Sequence, residues 1–247
     1  MAQSTNSSID ISVETPASSL SSDTFTDIII GADRRPIPNW DIIAYSTNPF
    51  SQLHSWAKRS MDILLASVFC VVTAPLWALT ALAIRLDSPG PIFYRQERVG
   101  RFGKVFTLLK FRSMVVDAER ETGPVWASRN DPRRTRVGRI IRKLGIDEFP
   151  QFFNVLRGEM SVVGPRPERS HFVHRFRRDI PGYSDRLCVL PGITGRAQVK
   201  HKYDESIDDV RRKLGFDLEY VQNPSLIADL LIIINTALII VTGKGKF

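Results

Sequence analysis

Asp147 and Glu148 stand side by side in GIDEFPQFFNVLRGEMSVVGPRP, residues 145–167. Six cationic side chains precede them: Arg133, Arg134, Arg136, Arg139, Arg142 and Lys143. The segment closes on Gly164-Pro165-Arg166-Pro167, where prolines restrict the backbone that carries a guanidinium. Carboxylates beside a cationic cluster suit a phosphorylated substrate, with a divalent metal as a natural companion. A plainer reading is structural. Asp147 would then cap a helix running from Glu148 to about Leu156, and Glu148 would be a partner of that helix's dipole. The two readings are compatible, because a helix N-terminus also favours an anion. Lys110 and Arg112 follow a strand-like run. They are either solvated edge charges or cations held beside a phosphate.

The elements that must position these residues are legible in part. Ile63 to Ile84 carries no charged residue, and Lys58-Arg59 and Arg85 flank it. A helix over this run would reach about 33 Å at about 1.5 Å per residue, enough for a bilayer core of about 30 Å. Pro75 removes a backbone hydrogen bond in its middle, and the Thr73 hydroxyl can return to a freed carbonyl. A kink there would let the segment enter and leave on one side. The positive charge at both ends is consistent with that. The residues alone leave re-entrant and spanning topologies open.

Downstream, Ile92–Tyr94 and Val105–Leu109 bracket a Gly100–Gly103 turn and predict a β-hairpin. Val115–Glu121 reads as helical. Asp131-Pro132 signals the start of a helix over Arg133–Leu144, with Val137, Ile140, Ile141 and Leu144 as one apolar stripe. Its basic remainder suits an anionic lipid surface, a solvated face or a DNA backbone. No aromatic-basic interleaving or groove-reading motif favours DNA. Met160–Val163 is strand-like, Glu168–Arg178 a basic helix, Leu190–Val199 a turn and strand, and Asp204–Val221 a helix. Leu226–Val241 is a second apolar run, interrupted by Asp229 and Asn235, and reads as an interfacial or docking helix or a buried one.

Composition bounds the partners. In 247 residues Lys+Arg number 34 and Asp+Glu 26, a net charge of +8. Nucleic acid, anionic lipid and phosphorylated substrates all fit that balance. Cys70 and Cys188 make no disulfide framework, which fits a reducing compartment. Residues 1 to about 26 are rich in Ser and Thr and read as disordered; short apolar patches follow at Ile28–Ile30 and Trp40–Tyr45. There is no signal-peptide pattern, no dinucleotide or P-loop glycine motif, and no Cys/His metal spacing.

KRSMDILLAS, DSPGPIFYRQERVGRFGKVFTLLKFRSM, NDPRRTRVGRIIRKLGIDEFPQFFNVLRGEMSVVGPRPER and PGITGRAQV, in this order, carry a resemblance. From about Lys58 to Phe247 the chain resembles the bacterial sugar transferases, the monotopic polyprenyl-phosphate phosphoglycosyltransferases. The PRPER and IPGY segments resemble the exopolysaccharide-initiating branch, which commonly uses UDP-glucose or UDP-galactose. The resemblance implies an α/β (α+β) fold. A re-entrant membrane helix (58–87), broken at Thr73 and Pro75, would join a compact cytoplasmic catalytic domain (88–247). That domain would have a short β-hairpin and interfacial amphipathic helices, the last over 225–242. Residues 1–57 would be a largely disordered extension. It implies Asp147 as nucleophile, Glu148 as its assistant, and Mg2+ held partly by Asp147. Lys110, Arg112, Arg142 and Arg166 would contact phosphate or nucleotide.

The implied substrates are a UDP-hexose and a polyprenyl (undecaprenyl) phosphate, used at the cytoplasmic face of the bacterial inner membrane beside anionic membrane lipid. Nucleic acid is not among the expected partners, and a homodimer is compatible with the chain. The alternative is a non-catalytic membrane-bound scaffold for glycan assembly. Two departures from the family pattern are visible: the break reads Thr73-Ala74-Pro75, and Arg196 and Lys200-His201 replace its common residues.

Overall fold

A long apolar helix packs against a small mixed body of helices and strands. The structure, a computed structural model, describes residues 49–120, 123, 131–200 and 206–242. All of them belong to one unit, Arg35–Phe247. The expectations for residues 1–48 lie outside the described residues.

Helix α1 spans Pro49–Asp87 and contains Pro75. Residues 49–57, expected within a largely disordered extension, are its first turns. The helix does not end at the expected break. Thr73 Oγ1 donates to the Phe69 carbonyl (2.7 Å) and accepts from Trp77 Nε1 (2.9 Å). The carbonyl that Pro75 leaves without its amide donor is Val71's, four residues back. The Thr73 hydroxyl therefore reinforces the turn before the proline rather than repairing the lost bond. Only 11% of the most apolar window of Ser55–Asp87 is buried, and this is the one described helix long and apolar enough to cross a membrane.

The hairpin forms as its alternation predicts. Strands β1 (Phe93–Val99) and β2 (Val105–Phe111) pair antiparallel, with Tyr94 opposite Lys110. Val115–Glu121 is not a helix over its described part: Val116–Arg120 is a turn, and the Val115 amide donates to the Arg133 carbonyl. Helix α2 covers Arg136–Lys143 and starts at Thr135, whose side chain accepts from the Gly138 amide (2.9 Å). Asp131 does not cap it; its carboxylate holds the Arg133 guanidinium instead. Gly138 lets α2 approach the end of β2, since a Cβ there would lie 2.0 Å from the Ser113 carbonyl oxygen. Gly145, at φ +70°, ends the helix in the left-handed conformation that glycine adopts at least cost. The apolar stripe divides. Ile141 is buried and Val137 packs against the same cluster, whereas Ile140 is 59% and Leu144 50% exposed.

A 3-10 turn over Ile146–Glu148 leads into helix α3, Gln151–Arg157. Strand β3 (Ser161–Val163) pairs parallel with β4 (Gly192–Thr194), and helix α4 (Ser170–Asp179) lies between them in the chain. The strand expected to continue after Thr194 turns helical as α5, Arg196–Lys200. Helices α6 (Ile207–Gln222) and α7 (Leu226–Thr242) follow; Ser206 and Asp209 close a capping box on α6. The central apolar cluster draws Ala66 from α1, Leu108 from β2, Val155 from α3, Val162 and Val163 from β3, Tyr220 from α6 and Ile232 from α7. The long helix thus contributes to the same core as the strands and short helices.

Candidate active site

Asp147 lies in the 3-10 turn, not at a helix cap. Helix α3 begins after Pro150, and the Asp147 side chain caps nothing. The residue is 6% exposed, and its carboxyl accepts no hydrogen bond from a described residue. Burial raises its pKa; Lys110, Arg142 and Arg166 pull the other way without cancelling that, and Glu148 adds to the rise. A buried carboxylate without a donor is costly to keep. Such a group is a candidate for chemistry rather than for stability.

Glu148 is the opposite case. Lys110 Nζ donates to its Oε1 (2.8 Å), Arg166 Nη1 to its Oε2 (3.2 Å), and Arg166 Nη2 to Oε1 as well. Burial alone would raise its pKa, but Arg166 and Lys110 outweigh that and hold the carboxyl well below the usual carboxylate range. Burial in turn lowers the Lys110 pKa against the pull of Glu148, while Glu148 raises that of Arg166. Neighbouring carboxyls in one turn are therefore driven apart. One is locked as an anion, and the other holds its proton more readily than an exposed aspartate does.

Four of the expected residues converge here: Asp147, Glu148, Lys110 and Arg166. Arg142 is a fifth. Its charge acts on Asp147, and its guanidinium donates no hydrogen bond to a described residue. Arg112 does not join them. Its guanidinium donates to the Pro89 carbonyl (2.7 Å) and to the carbonyl and hydroxyl of Ser88 (2.7 and 3.0 Å). It fastens the turn after α1, a structural use of a cation at a helix C-terminus. Thr73 and Pro75 lie within α1 and make no described contact with either carboxylate; Thr73 bonds Phe69 and Trp77, which pack on the aromatic residues after the turn.

Local sequence explains the placement. Lys110 is the penultimate residue of β2, whose Leu109 amide donates to Asn154 Oδ1 (3.0 Å), while Asn154 Nδ2 donates to the Thr107 carbonyl (2.7 Å). One fully buried asparagine thus zips β2 to α3, fixing Lys110 against Glu148. The aromatic run around the turn seats it on α1. Phe69 meets Phe149 edge-on (4.8 Å between ring centres) and stacks on Phe152 (4.0 Å), and Trp77 meets Phe153 edge-on (5.1 Å). Sequence reasoning missed Asn154, and it missed Gln151. The latter is 1% exposed, and its amide nitrogen has no hydrogen-bond partner among the described residues. It follows Glu148 by three positions, so it shares the dyad's side of the helical run. That spacing was the available signal.

No group of three or more His, Cys, Asp or Glu side chains among the described residues could hold a metal alone. The donor set still fits Mg2+, which uses one or two carboxylates and completes its shell with water and substrate phosphates. Asp147 has the open carboxylate for it; both Glu148 oxygens are already bound.

The bacterial sugar transferase family model matches residues 53–243, most of the chain and the whole of this site. The chain belongs to the bacterial sugar transferase family. Among its relatives in that family, a protein of Caulobacter vibrioides named UDP-glucose:undecaprenyl-phosphate glucose-1-phosphate transferase is 43% identical over 77% of this chain and 72% of its own length. A UDP-N-acetylgalactosamine-undecaprenyl-phosphate N-acetylgalactosaminephosphotransferase of Aeromonas hydrophila is 48% identical over 79% of this chain and 46% of its own. The exopolysaccharide production protein ExoY of Rhizobium meliloti is 36% identical over 83% of this chain and 94% of its own. The chain spans about half the length of the Aeromonas relative and of an Escherichia coli glucose-1-phosphate transferase (46% of each).

Proposed function

We propose that this sugar transferase moves a hexose-1-phosphate from a UDP-sugar to undecaprenyl phosphate through a covalent intermediate on Asp147, starting a glycan on its lipid carrier. The observation that carries this reading is the pairing of carboxylates. A buried Asp147 that accepts no hydrogen bond from a described residue lies beside a Glu148 held by Lys110 and Arg166. The names of the relatives support the substrate class.

In the first step an Asp147 carboxylate oxygen attacks the β-phosphorus of the UDP-sugar. The bond from that phosphorus to the bridging oxygen breaks, and the electron pair leaves with UMP. In the second step a phosphate oxygen of undecaprenyl phosphate attacks the same phosphorus and displaces the carboxylate. The products are undecaprenyl diphosphate sugar and free Asp147. Lys110, Arg142 and Arg166 place positive charge where the diphosphate sits, offsetting charge that moves to the leaving oxygen. Glu148 holds Lys110 and Arg166 in place. Mg2+ bound at Asp147 and the substrate phosphates would supply further charge neutralisation.

The way α1 is fastened supports a reading of its topology. Near its start Lys58 pairs with Asp229 of α7 (2.8 Å), and Arg59 donates to the Val155 and Leu156 carbonyls (2.6 and 2.9 Å). At its end Asp87 accepts from the Val137 amide (2.9 Å). One charged body holds both ends of a long apolar helix, which supports a re-entrant or in-plane insertion with the catalytic body on the cytoplasmic side. A plain span would pull the two ends to opposite sides.

A UMP-release assay with undecaprenyl phosphate and Mg2+ over a panel of UDP-glucose, UDP-galactose and their N-acetylated forms tests the reading and identifies the sugar. Release with at least one donor, dependent on the lipid phosphate for turnover, is expected. No release with any of them would favour the scaffold alternative.

A further inference from the structure

Four consecutive carbonyls, those of Pro165, Arg166, Pro167 and Glu168, each accept a hydrogen bond from a part of the chain distant in sequence. The Gly192 amide of β4 donates to Pro165 (2.9 Å), Arg98 Nη1 of β1 to Pro167 (3.1 Å), and the Val99 amide to Glu168 (2.9 Å). The Arg166 carbonyl is served by Arg186 Nη2 (2.8 Å). Arg186 is itself buried. Its Nε and Nη2 both reach Asp217 Oδ2 of α6 (2.9 and 2.8 Å), and its Nη1 donates to Tyr183 Oη (3.1 Å).

A buried ion pair of this kind is weak evidence for stability, because desolvating both charges offsets most of their attraction. Its geometry instead has a definite target. The planar fork uses one edge on Asp217 and extends from the shared nitrogen to the main chain of the residue whose side chain grips Glu148. Prolines on both sides of Arg166 already narrow its backbone. With its carbonyl fixed as well, the guanidinium of Arg166 is delivered to a set position.

We propose that Arg186, held by Asp217 and Tyr183, is a positioning residue for Arg166. It couples helix α6 to the phosphate-binding end of the active site. This rests on the reading that Arg166 binds the substrate diphosphate. Arg186 does not touch substrate; it acts through the Arg166 main chain. Lysine cannot replace it, since a single ammonium cannot hold Asp217, Tyr183 and the Arg166 carbonyl together.

The experiment is a double-mutant cycle of Arg186→Lys and Arg166→Lys on the full chain in nanodiscs, with kcat and KM for the UDP-sugar measured on the folded, monodisperse fraction. Arg186→Lys is expected to lower kcat/KM about 10²-fold, with a raised KM, as a displaced binding group does. A merely structural loss would reduce the folded fraction and leave KM unchanged. In the Arg166→Lys background the same change should cost little more, because the two residues act in series. Multiplying losses, or an unaltered KM, would overturn the proposal. An Arg166→Lys enzyme as active as the parent would overturn the role of Arg166 itself, a separate failure. Where Arg186→Lys does not fold, Asp217→Asn, nearly the same shape, is read by the same cycle.

Discussion

Asp147 sits where a carboxylate is expensive and Glu148 where one is secure, and their predicted behaviours differ accordingly. Burial raises the Asp147 pKa, so the folded protein holds that proton more readily than the unfolded chain. Its ionisation therefore costs stability as pH rises through the folded value. Asp147→Asn removes that cost: it is expected to abolish turnover and raise the thermal midpoint, by about 2–4 °C for each kcal/mol gained. The acid limb of kcat/KM, which reports the free nucleophile, should lie above the ordinary aspartate value of about 3.9. An acid limb at or below that value in steady-state pH profiles would refute the buried-nucleophile assignment. Arg166→Ala removes the clamp on Glu148 and, on the proposed reading, a phosphate contact, and should lower kcat/KM at least about 10²-fold. Arg112→Ala should act differently, reducing thermal stability while the KM for UDP-sugar in the folded fraction stays near that of the parent.

Helix α1 and its fastenings carry the next level of the account. Arg59 caps the last carbonyls of α3 and Asp62 accepts from the Val162 amide (3.0 Å), so α1 is bound to the helix and the strand that follow the Ile146–Glu148 turn. Asp62→Ala leaves a buried amide unsatisfied and should cost about 1–3 kcal/mol in denaturant or thermal unfolding. Much of this layer was legible beforehand. The hairpin, β3, α6 and α7 follow from alternation, from acidic first turns and from apolar runs. The dyad and its cationic partners were visible in the chain, and the resemblance gave them roles.

Other features were not legible, for identifiable reasons. Arg112 carries the same cation as Arg166, and only the fold shows that carbonyls of the 88–89 turn consume it. Asp131-Pro132 has helix-start chemistry, yet Asp131 bonds Arg133 and leaves the cap to Thr135. Ile140 and Leu144 match a core-facing period but are exposed, because α2 offers only Ile141 and Val137 to the body. Asn154 looks like one more polar helical residue until strand β2 is placed beside it.

At the scale of the molecule, exposed apolar surface and the charged cluster around Asp147 and Glu148 are joined in one body. Helix α1 exposes Leu64, Val68, Val71, Val72, Leu79 and Leu82, and α7 exposes Ile227, Leu231, Ile234 and Leu238. Patches of this extent mark an interaction surface, and the length and apolarity of α1 suit a membrane. Labelling with a membrane-impermeant thiol reagent checks the topology: Ser55→Cys and Pro89→Cys, in a chain lacking Cys70 and Cys188, should both react only from the cytoplasmic side. Reaction of Ser55→Cys from outside would establish a span. The chemistry is tested most directly by intact-protein mass spectrometry after incubation with the preferred UDP-sugar and Mg2+ and no lipid acceptor. The account predicts a mass increase of one sugar phosphate, equal in amount to the UMP released, lost in Asp147→Asn and discharged by undecaprenyl phosphate. A UDP-sugar turned over without any such adduct, or an adduct that persists in Asp147→Asn, would contradict it.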